Sequence, residues 1–467
     1  MKTLDVIIPR PQSIESAPGV VKVETIGSVS APAGWERFST NLIRNAAFMG
    51  VDLSQQGTPV QLTISPDIKA ESFEITVTPE GILISGGDPA GLFYGATAFE
   101  QLLCISVNQG TRTAEIPCGK ISDSPRFGHR GFMLDSARHF QSTATVKKVL
   151  SMMAKLRLNI FHWHLCDSEG FRTESKLYPE LNTLAGRKAG FYTAAEIREI
   201  REFAAERFIT IIPEIEMPGH SKGLLALHPE LCCDPENPGY EFCLAKKEVR
   251  TFLKKLIAEF AAHFPDSPRI HLGGDEADTT HWDKCPACQS LMKEKGFSDI
   301  RQLETSFMND MAAYVRSLGR TPQTWFTGNV MEKSTVIQVW RSIHELKATL
   351  AQGNRMIFSV HDQVYLDYPE KSAEPFFNWM LFLSESCVYN TEPYAAWEQS
   401  IGDLLLGAES CLWTELIPEH RVMAKLMPRF VAFAETAWCR PETKEWYNYL
   451  GRREHLDAGN WFATEVL

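Results

Sequence analysis

Hydrophobic and polar positions follow two different patterns along the chain, and the pattern changes near residue 124. Before that point, residues 73–78 and 82–85 alternate as two strands about the turn Pro79-Glu80-Gly81. Apolar positions at helical spacing follow over residues 90–103. These elements predict a small α/β N-terminal domain over residues 1–124.

From residue 125 onward, the pattern of short apolar strand, loop and amphipathic helix repeats to the end of the chain. The predicted strands are 131–135, 158–161, 209–214, 269–272, 322–325, 336–340, 356–360 and 404–412. The predicted helices include 145–156, 193–207, 248–263, 303–318 and 421–438. Repeated βα units predict a parallel sheet. Eight of them within residues 125–467 predict a TIM (β/α)8 barrel, whose chemistry belongs at the C-terminal ends of the strands.

Composition narrows the possible partners. The 467 residues are 44% hydrophobic and carry a formal net charge of −11, which argues against nucleic acid or an anionic membrane as the main partner. Apolar clusters such as 379–383 fall far short of the roughly 20 residues that span a bilayer. The N-terminus is interrupted by Asp5 and Pro9 and is not a credible signal peptide, so we expect a cytoplasmic protein. Secretion or a periplasmic location stays open if a leader was removed.

The number and spacing of the cysteines are typical of reduced thiols, except for one group around a CxxC motif. Eleven cysteines, an odd number scattered over a long chain, do not resemble a disulfide framework. Cys285 and Cys288 form a CxxC motif, and Cys232, Cys233 and Cys243 lie upstream in a Pro/Gly-rich loop. Four thiolates, from Cys232, Cys243, Cys285 and Cys288, could therefore hold a structural zinc ion. A single CxxC is a weak signal, and ordinary loop cysteines are the commoner explanation.

The densest candidate chemistry lies in the segment 271–276, which reads His-Leu-Gly-Gly-Asp-Glu. Asp275 and Glu276 are adjacent carboxylates behind a predicted strand and a glycine pair. Neighbouring acids resist ionising together, so one of them can hold its proton and serve as a general acid near neutral pH. Helix capping by Asp275 is the more common role for such a residue when this segment is considered alone.

The other predicted strand ends also carry polar and aromatic groups. They are Asp135, Arg138 and His139 after the first strand, 162–167 after the second, 213–220 after the third, Trp325, Trp340, 362–367 and 413–415. Any single Trp is more often core, but three at strand ends beside acids indicate a carbohydrate pocket. His162 and His164 share one face of a strand at a spacing that also suits metal ligation, although packing and hydrogen bonding explain them better.

At this point the chain resembles the β-N-acetylhexosaminidases of glycoside hydrolase family 20. The matching segments are 9–12, 126–131, 162–164, 213–221, 271–276 and 412–415. The resemblance covers essentially the whole chain, in order. It implies an exo-acting enzyme without a cofactor that retains configuration because the substrate's own 2-acetamido oxygen attacks C1. Its partners would be glycans or oligosaccharides that end in an N-acetylhexosamine.

The resemblance also implies a role for each site residue. Glu276 would be the general acid and then the general base, and Asp275 would accept the acetamido N–H and stabilise the developing positive charge. Tyr365 would donate a hydrogen bond to the acetamido carbonyl. The remaining assignments are Trp325, Trp340 and Trp413 as pocket walls, Arg130, Asp367 and Glu415 on the sugar hydroxyls, and His220 with Asp167 as a relay onto Glu276.

Four residues depart from the family pattern. Glu216 stands where an Asp is usual, next to the position expected to partner Asp275, and His129 replaces a Trp. Phe326 and Thr327 follow Trp325 where an acid or amide is common, which affects recognition beyond the terminal sugar.

Two other classes of protein share parts of this pattern. A metal-dependent barrel hydrolase, such as a deacetylase acting on amino sugars, could use His162, His164, His220 and Asp275. A silent sugar-binding homologue would share the fold, but it would normally have lost the catalytic acid.

Overall fold

The structure is a computed structural model that describes residues 4–108, 110–184, 190–393, 402–459 and 461–463. None of the helices in these ranges is long and apolar enough to cross a membrane.

The N-terminal part of the chain forms a mixed sheet covered by helices. Its strands are β1 (Ser13–Val23), β2 (Thr25–Ser30), β3 (Asp52–Leu53), β4 (Thr58–Ile64), β5 (Phe73–Thr78), β6 (Gly81–Gly86), β7 (Val107–Asn108) and β8 (Thr113–Asp123). They lie in the order β1-β8-β5-β6-β4-β2-β3, and β7 pairs with β8. The antiparallel pairing of β5 with β6 confirms the predicted hairpin.

Two helices accompany this sheet, α1 (Glu36–Met49) and α2 (Pro89–Ser106). The Asp88 side chain caps α2 by accepting from Gly91 N, and Pro89 occupies the first turn, where a missing N–H costs nothing. Nearly every residue of α2 is buried. A helix that is apolar on all sides must be covered on all sides, and α2 accordingly lies between the sheet and the C-terminal helix of the chain.

The remainder of the chain forms a closed parallel barrel, as predicted. Its strands are β9 (His129–Asp135), β10 (Ile160–His164), β13 (Thr210–Glu214), β14 (Arg269–His271), β15 (Thr321–Trp325), β16 (Val336–Val339), β17 (Met356–Phe358) and β18 (Leu405–Leu412). A small hairpin, β11 (Cys166–Asp167) with β12 (Gly170–Phe171), follows β10. The second barrel strand begins and ends later than predicted, so His162 and His164 lie inside it rather than after it.

Helices connect the barrel strands. They are α3 (Thr143–Lys155), α4 (Ala194–Ala205), α5 (Lys222–Leu227), α6 (Lys247–His263), α7 (Thr280–Lys284), α8 (Pro286–Lys295), α9 (Ile300–Ser317), α10 (Ile343–Gln352), α11 (His361–Val364), α12 (Glu385–Asn390), α13 (Val422–Leu426), α14 (Arg429–Trp438) and α15 (Trp446–Ala458). The single helix predicted over 421–438 is wrong. It is interrupted at Pro428, because proline has no N–H to donate and its ring obstructs the preceding turn.

Buried charges join the N-terminal sheet to the barrel. Arg157 Nη1 lies 2.8 Å from Asp123 Oδ2, and both side chains are fully buried. Trp438 donates its indole N–H to the same carboxylate at 3.0 Å. Arg130 Nη2 lies 2.9 Å from Glu71 Oε1. Since a buried charge without a partner is costly, these pairs hold the N-terminal sheet and the barrel together.

The barrel interior is polar at mid-height. Glu409 accepts from Gln338 Nε2 at 2.7 Å and contacts His162 Nδ1 at 2.7 Å and His129 Nε2 at 2.8 Å. His129, which stands where the family pattern has a Trp, thus contacts the Glu409 carboxylate. On the other side, His162 Nε2 lies 3.2 Å from Glu214 Oε2. Glu409 received no role in the sequence analysis, although an acid inside an apolar strand already indicates a buried ionic network.

Candidate active site

The adjacent acids Asp275 and Glu276 lie in the loop after β14, at the C-terminal mouth of the barrel. Asp275 is buried, whereas the side chain of Glu276 is 55% exposed. Helix α7 begins only at Thr280, with Thr279 at its N-cap position, so helix capping by Asp275 is wrong. The two carboxyl groups are neighbours in sequence but occupy different environments, which lets them perform different tasks.

The backbone of this loop requires its two glycines. Gly273 and Gly274 have φ angles of +64° and +105°, which favour glycine. A Cβ atom on Gly273 would lie 1.6 Å from Oε2 of Glu216. The space left by the missing side chain of Gly273 is therefore what accommodates the longer Glu216 in place of the usual Asp.

Glu216 is a buried acid beside Asp275. Burial, together with the Asp275 and Glu214 carboxylates, raises the pKa of Glu216 well above its usual value. Burial also raises the pKa of Asp275 to about 6, although His220 opposes the shift. Of these two neighbouring carboxyl groups, Asp275 is thus the one that more readily carries the negative charge.

His220 connects the acids to a buried carboxylate. Its Nε2 lies 3.9 Å from Asp275 Oδ2 and 3.7 Å from Glu276 Oε2, and its Nδ1 lies 3.3 Å from Asp167 Oδ1. Burial works against the charged ring, but Asp167 and the other nearby acids raise the pKa of His220 to about 10. The structure therefore brings together the predicted relay residues, with a cationic imidazolium between them.

Arg138 lies at the centre of the anionic side of the site. Its Nη2 is 2.7 Å from Asp167 Oδ2, its Nη1 is 3.5 Å from Asp135 Oδ2, and Glu415 Oε1 is 4.0 Å away. The guanidinium also lies over the ring of Trp413, 5.0 Å from its centroid. Although burial opposes ionisation, Arg138 is the largest influence that holds the pKa of Asp167 well below its usual range.

The predicted Arg130 is elsewhere, which corrects its assignment as a sugar-binding residue. Arg130 is the second residue of β9, whereas Asp135 at the other end of that strand faces the site. Arg130 binds Glu71, Tyr94 and the carbonyl of Phe127 at the domain junction. A residue at the start of a barrel strand lies at the end opposite the C-terminal mouth, and Arg138, which follows the strand, occupies that position.

Aromatic side chains line one wall of the mouth. The ring centroid of Trp413 lies 5.8 Å from that of Trp325 and 6.1 Å from that of Tyr365. Trp325 donates its indole N–H to Glu214 Oε1 at 2.7 Å. Trp340 follows β16 and donates to the carbonyl of Phe326 at 2.9 Å, which places it beside Trp325 along the wall.

Two further acids complete the rim. Asp367 is buried, accepts from Trp413 N at 3.4 Å, and has its pKa raised to about 8 by burial and by Glu415. Glu415 is half-buried, and burial raises its pKa as well, against the effect of Arg138. These acids and Arg138 supply both donors and acceptors for hydroxyl groups.

The histidines do not form the metal site of a deacetylase. In the described part of the chain, the ligand atoms of His162 cluster with Glu214 and His271, and those of His220 cluster with Asp275 and Glu276. His164 clusters separately, with Glu214 and Glu216. The four ligands that such a hydrolase would need are thus divided among different places, and carboxylates already contact both nitrogens of His162.

The cysteine cluster differs from its prediction at one position. Cys232 directs its thiol to the carbonyls of Pro229 and Asp234, both at 2.9 Å. Cys233 instead lies with Cys243, Cys285 and Cys288. Neighbouring residues in an extended loop point in different directions, so the sequence alone could not choose between the two.

A closed parallel barrel whose mouth carries a pair of adjacent acids, one buried and one exposed, beside an aromatic wall is typical of a glycoside hydrolase. A family model described as "Glycosyl hydrolase family 20, catalytic domain" matches residues 127–441, and one described as "Glycosyl hydrolase family 20, domain 2" matches residues 6–124. The chain belongs to glycosyl hydrolase family 20.

Similar proteins agree with this membership. A beta-hexosaminidase of Akkermansia muciniphila is 31% identical over 418 residues, which cover 84% of each chain. A beta-hexosaminidase subunit alpha of Bos taurus is 30% identical and covers 82% of this chain and 75% of its own. The β-N-acetylhexosaminidase of Bacteroides fragilis superposes with a TM-score of 0.84 at 30% identity, over 98% of this chain and 95% of that one.

The activity follows from these relationships. The chain is a retaining, exo-acting β-N-acetylhexosaminidase, its substrates are glycans that contain N-acetylhexosamine, and its reaction is assisted by the substrate's own acetamido group. The alternative of a metal-dependent deacetylase is not favoured.

Proposed function

We propose that Glu276 and Asp275 divide the catalytic work in this chain. Glu276 protonates the glycosidic oxygen and then takes a proton from water, because its exposed carboxyl group can reach the leaving group and solvent. Asp275 accepts the acetamido N–H and stabilises the oxazolinium cation, a task that suits a buried anion. The contrast in exposure between two adjacent carboxyl groups is the observation that carries this assignment.

The pocket wall would hold the terminal sugar. Trp325, Trp340 and Trp413 offer apolar faces to the sugar ring and the acetamido methyl group, and Tyr365 donates to the acetamido carbonyl oxygen. The pKa of Tyr365 is raised well above its usual value, chiefly by burial, so its hydroxyl keeps the proton that this hydrogen bond needs.

Arg138, Asp367 and Glu415 would bind the hydroxyl groups of that sugar. Arg138 takes the place that the sequence analysis gave to Arg130, because it lies beside Glu415 and over Trp413. A terminal non-reducing N-acetylhexosamine is the unit that such a rim would recognise. The net charge of −11 supports glycans rather than nucleic acids or anionic membranes as partners.

His220 and Asp167 would act as positioning residues. The imidazolium of His220 lies between Asp167 and the two acids, so it can orient both of them, and its charge favours the ionised form of Asp275. Neither residue needs to touch the sugar for this effect.

A leaving-group series tests the assignment of the two acids. Glu276→Gln should lose little activity on an aryl N-acetylglucosaminide with a very acidic phenol, and far more as the phenol becomes less acidic, because only poor leaving groups need protonation. Asp275→Asn should lose activity on all of these N-acetylglucosaminides, since each of them forms the same oxazolinium cation. Equal losses across the series for Glu276→Gln would contradict its role as the acid.

The matching control uses the sugar instead of the protein. An aryl β-glucoside has no acetamido group, so native enzyme should turn it over poorly, and Asp275→Asn should change that residual rate little. If Asp275→Asn depressed the glucoside and the N-acetylglucosaminide equally, Asp275 would not act on the acetamido group.

A further inference from the structure

Four cysteine thiols converge beside the active-site loops, in a place that the hexosaminidase reaction does not use. The sulfur atoms of Cys233, Cys243, Cys285 and Cys288 all lie within 4.8 Å of one another. Cys243 Sγ lies 3.8 Å from Cys288 Sγ and 4.0 Å from Cys285 Sγ. Three of the four residues are buried, and Cys233 is half-buried.

The spacing of the sulfur atoms matches a single tetrahedral metal ion bound by four thiolates. In a tetrahedral zinc site the Zn–S bonds of about 2.3 Å place the sulfur atoms about 3.8 Å apart. A disulfide would require about 2.05 Å between two sulfur atoms. An iron–sulfur cluster spreads its thiolates over several metal atoms and needs a wider cage.

The local backbone also suits thiolate ligands. Cys285 is the N-cap residue of α8, Pro286 begins the helix, and Cys288 lies in its first turn. This CxxC spacing turns both thiols to the same side, and the positive end of the helix dipole favours their anionic form. Cys233 and Cys243 approach from the loop that follows α5.

We propose that Cys233, Cys243, Cys285 and Cys288 bind one structural zinc ion. The four thiols lose their protons as the ion binds, and no oxidant or reductant is involved. Because all four positions are taken by protein sulfur, the ion has no open position for water or substrate, and its role is structural rather than catalytic.

The zinc would tie together the loops that carry the catalytic groups. Phe242, next to Cys243, donates its N–H to Pro218 O at 2.9 Å, and Pro218 lies two residues before His220. Trp282, three residues before Cys285, donates its indole N–H to Phe242 O at 2.9 Å. The loop after β13 and the loop after β14 would thus be fixed to each other directly behind the site.

Metal analysis of the native chain tests the proposal first. The full chain should be produced in zinc-supplemented medium and purified with a mild reductant and without chelator. Elemental analysis should then find about one zinc ion per chain, and release of that zinc should consume four equivalents of a mercurial, one for each thiolate. Replacement by Co²⁺ should give the intense thiolate charge-transfer bands of a tetrahedral sulfur site.

Adjacent cysteines supply a matched pair of variants. Cys233→Ser should release its zinc to a chromophoric chelator that leaves native protein loaded, and it should melt at a lower temperature. Cys232→Ser should keep its zinc, because the thiol of Cys232 faces the carbonyls of Pro229 and Asp234.

Three results would overturn the proposal. They are a native chain with four free thiols and no stoichiometric metal, a disulfide among these residues by mass spectrometry of the alkylated protein, or equal zinc retention in the two variants. If Cys233→Ser does not fold, the zinc content and cobalt spectrum of native protein still decide the matter.

Discussion

Replacement of His220 by Ala should move the acid limb of the pH profile upward. The imidazolium of His220 lies 3.9 Å from the Asp275 carboxylate. In the free enzyme burial raises the pKa of Asp275 to about 6 even though His220 opposes the shift, so removing His220 must raise that pKa further. Because Asp275 works only as an anion, activity should then be lost at a higher pH.

The size of this shift can be worked from the geometry. Two unit charges at this separation interact by about 4 kcal/mol at an effective dielectric constant of about 20. The side chain of His220 is 19% exposed, so solvent screens part of that attraction. We therefore expect a shift of about one to two pKa units, or about 1.4 to 2.7 kcal/mol.

The assay is kcat/KM against pH for an aryl N-acetylglucosaminide, since this ratio reports ionisations of the free enzyme. For the native chain kcat/KM should fall as the pH drops through about 6, and for His220→Ala it should already fall between about 7 and 8. His220→Gln should shift the limb in the same way, because it keeps a hydrogen bond but removes the charge. His228→Ala, which removes a histidine paired with Glu180 and Glu230, should leave it in place.

A limb that stays where it is in His220→Ala, or that moves to lower pH, would refute the electrostatic account. Restoration of the native profile by His220→Gln would show that hydrogen-bond geometry, rather than charge, is what His220 supplies.

Four further predictions concern other positions. Glu216→Gln should keep kcat/KM within about threefold at neutral pH, because the raised pKa of the buried Glu216 favours its uncharged form, and a loss of more than about a hundredfold would contradict this. Arg130→Met should lower stability by about 2 kcal/mol in a denaturant titration, because it removes the buried guanidinium that binds Glu71 and the carbonyl of Phe127, and it should not change KM. Arg138→Met should cut kcat/KM by roughly a hundredfold or more. If Arg130→Met lost activity on this scale and Arg138→Met did not, the sugar-binding role would belong to Arg130. Gly273→Ala should abolish activity and reduce soluble yield because its methyl group would collide with Glu216, and the double variant with Glu216→Ala should recover yield if that collision is the cause.

The barrel could be predicted from the sequence because its signal is periodic. Each buried strand is a short apolar run that precedes an amphipathic helix, and this pattern survives errors of a residue or two at the strand ends. For a single residue, however, an error of this size decides whether the residue is placed in the site or away from it. Arg130 and Arg138 lie at opposite ends of β9, Arg130 at its start and Arg138 just beyond its end. Only the exact position of the strand therefore shows which of them faces the site.

Other features depend on contacts between distant parts of the chain. The sequence shows that Glu216 is one methylene longer than expected, but not that the missing side chain of Gly273 makes room for it. It shows two adjacent cysteines, but not that Cys233 rather than Cys232 points towards the CxxC motif. The break at Pro428 is different, because proline is itself a local signal of helix termination.

The two residues that face each other across the site are both held in an unfavourable conformation. His220 and Glu276 each have a φ angle of 51°, which costs a residue with a side chain of the order of 1 to 3 kcal/mol. Such a conformation persists only where the surroundings enforce it. Here the loops approach so closely that a Cβ atom on Gly219 would lie 3.2 Å from the carbonyl oxygen of Asp275. The rigidity of these two loops, which the proposed zinc site would increase, is therefore what keeps the charged ring of His220 within reach of both acids.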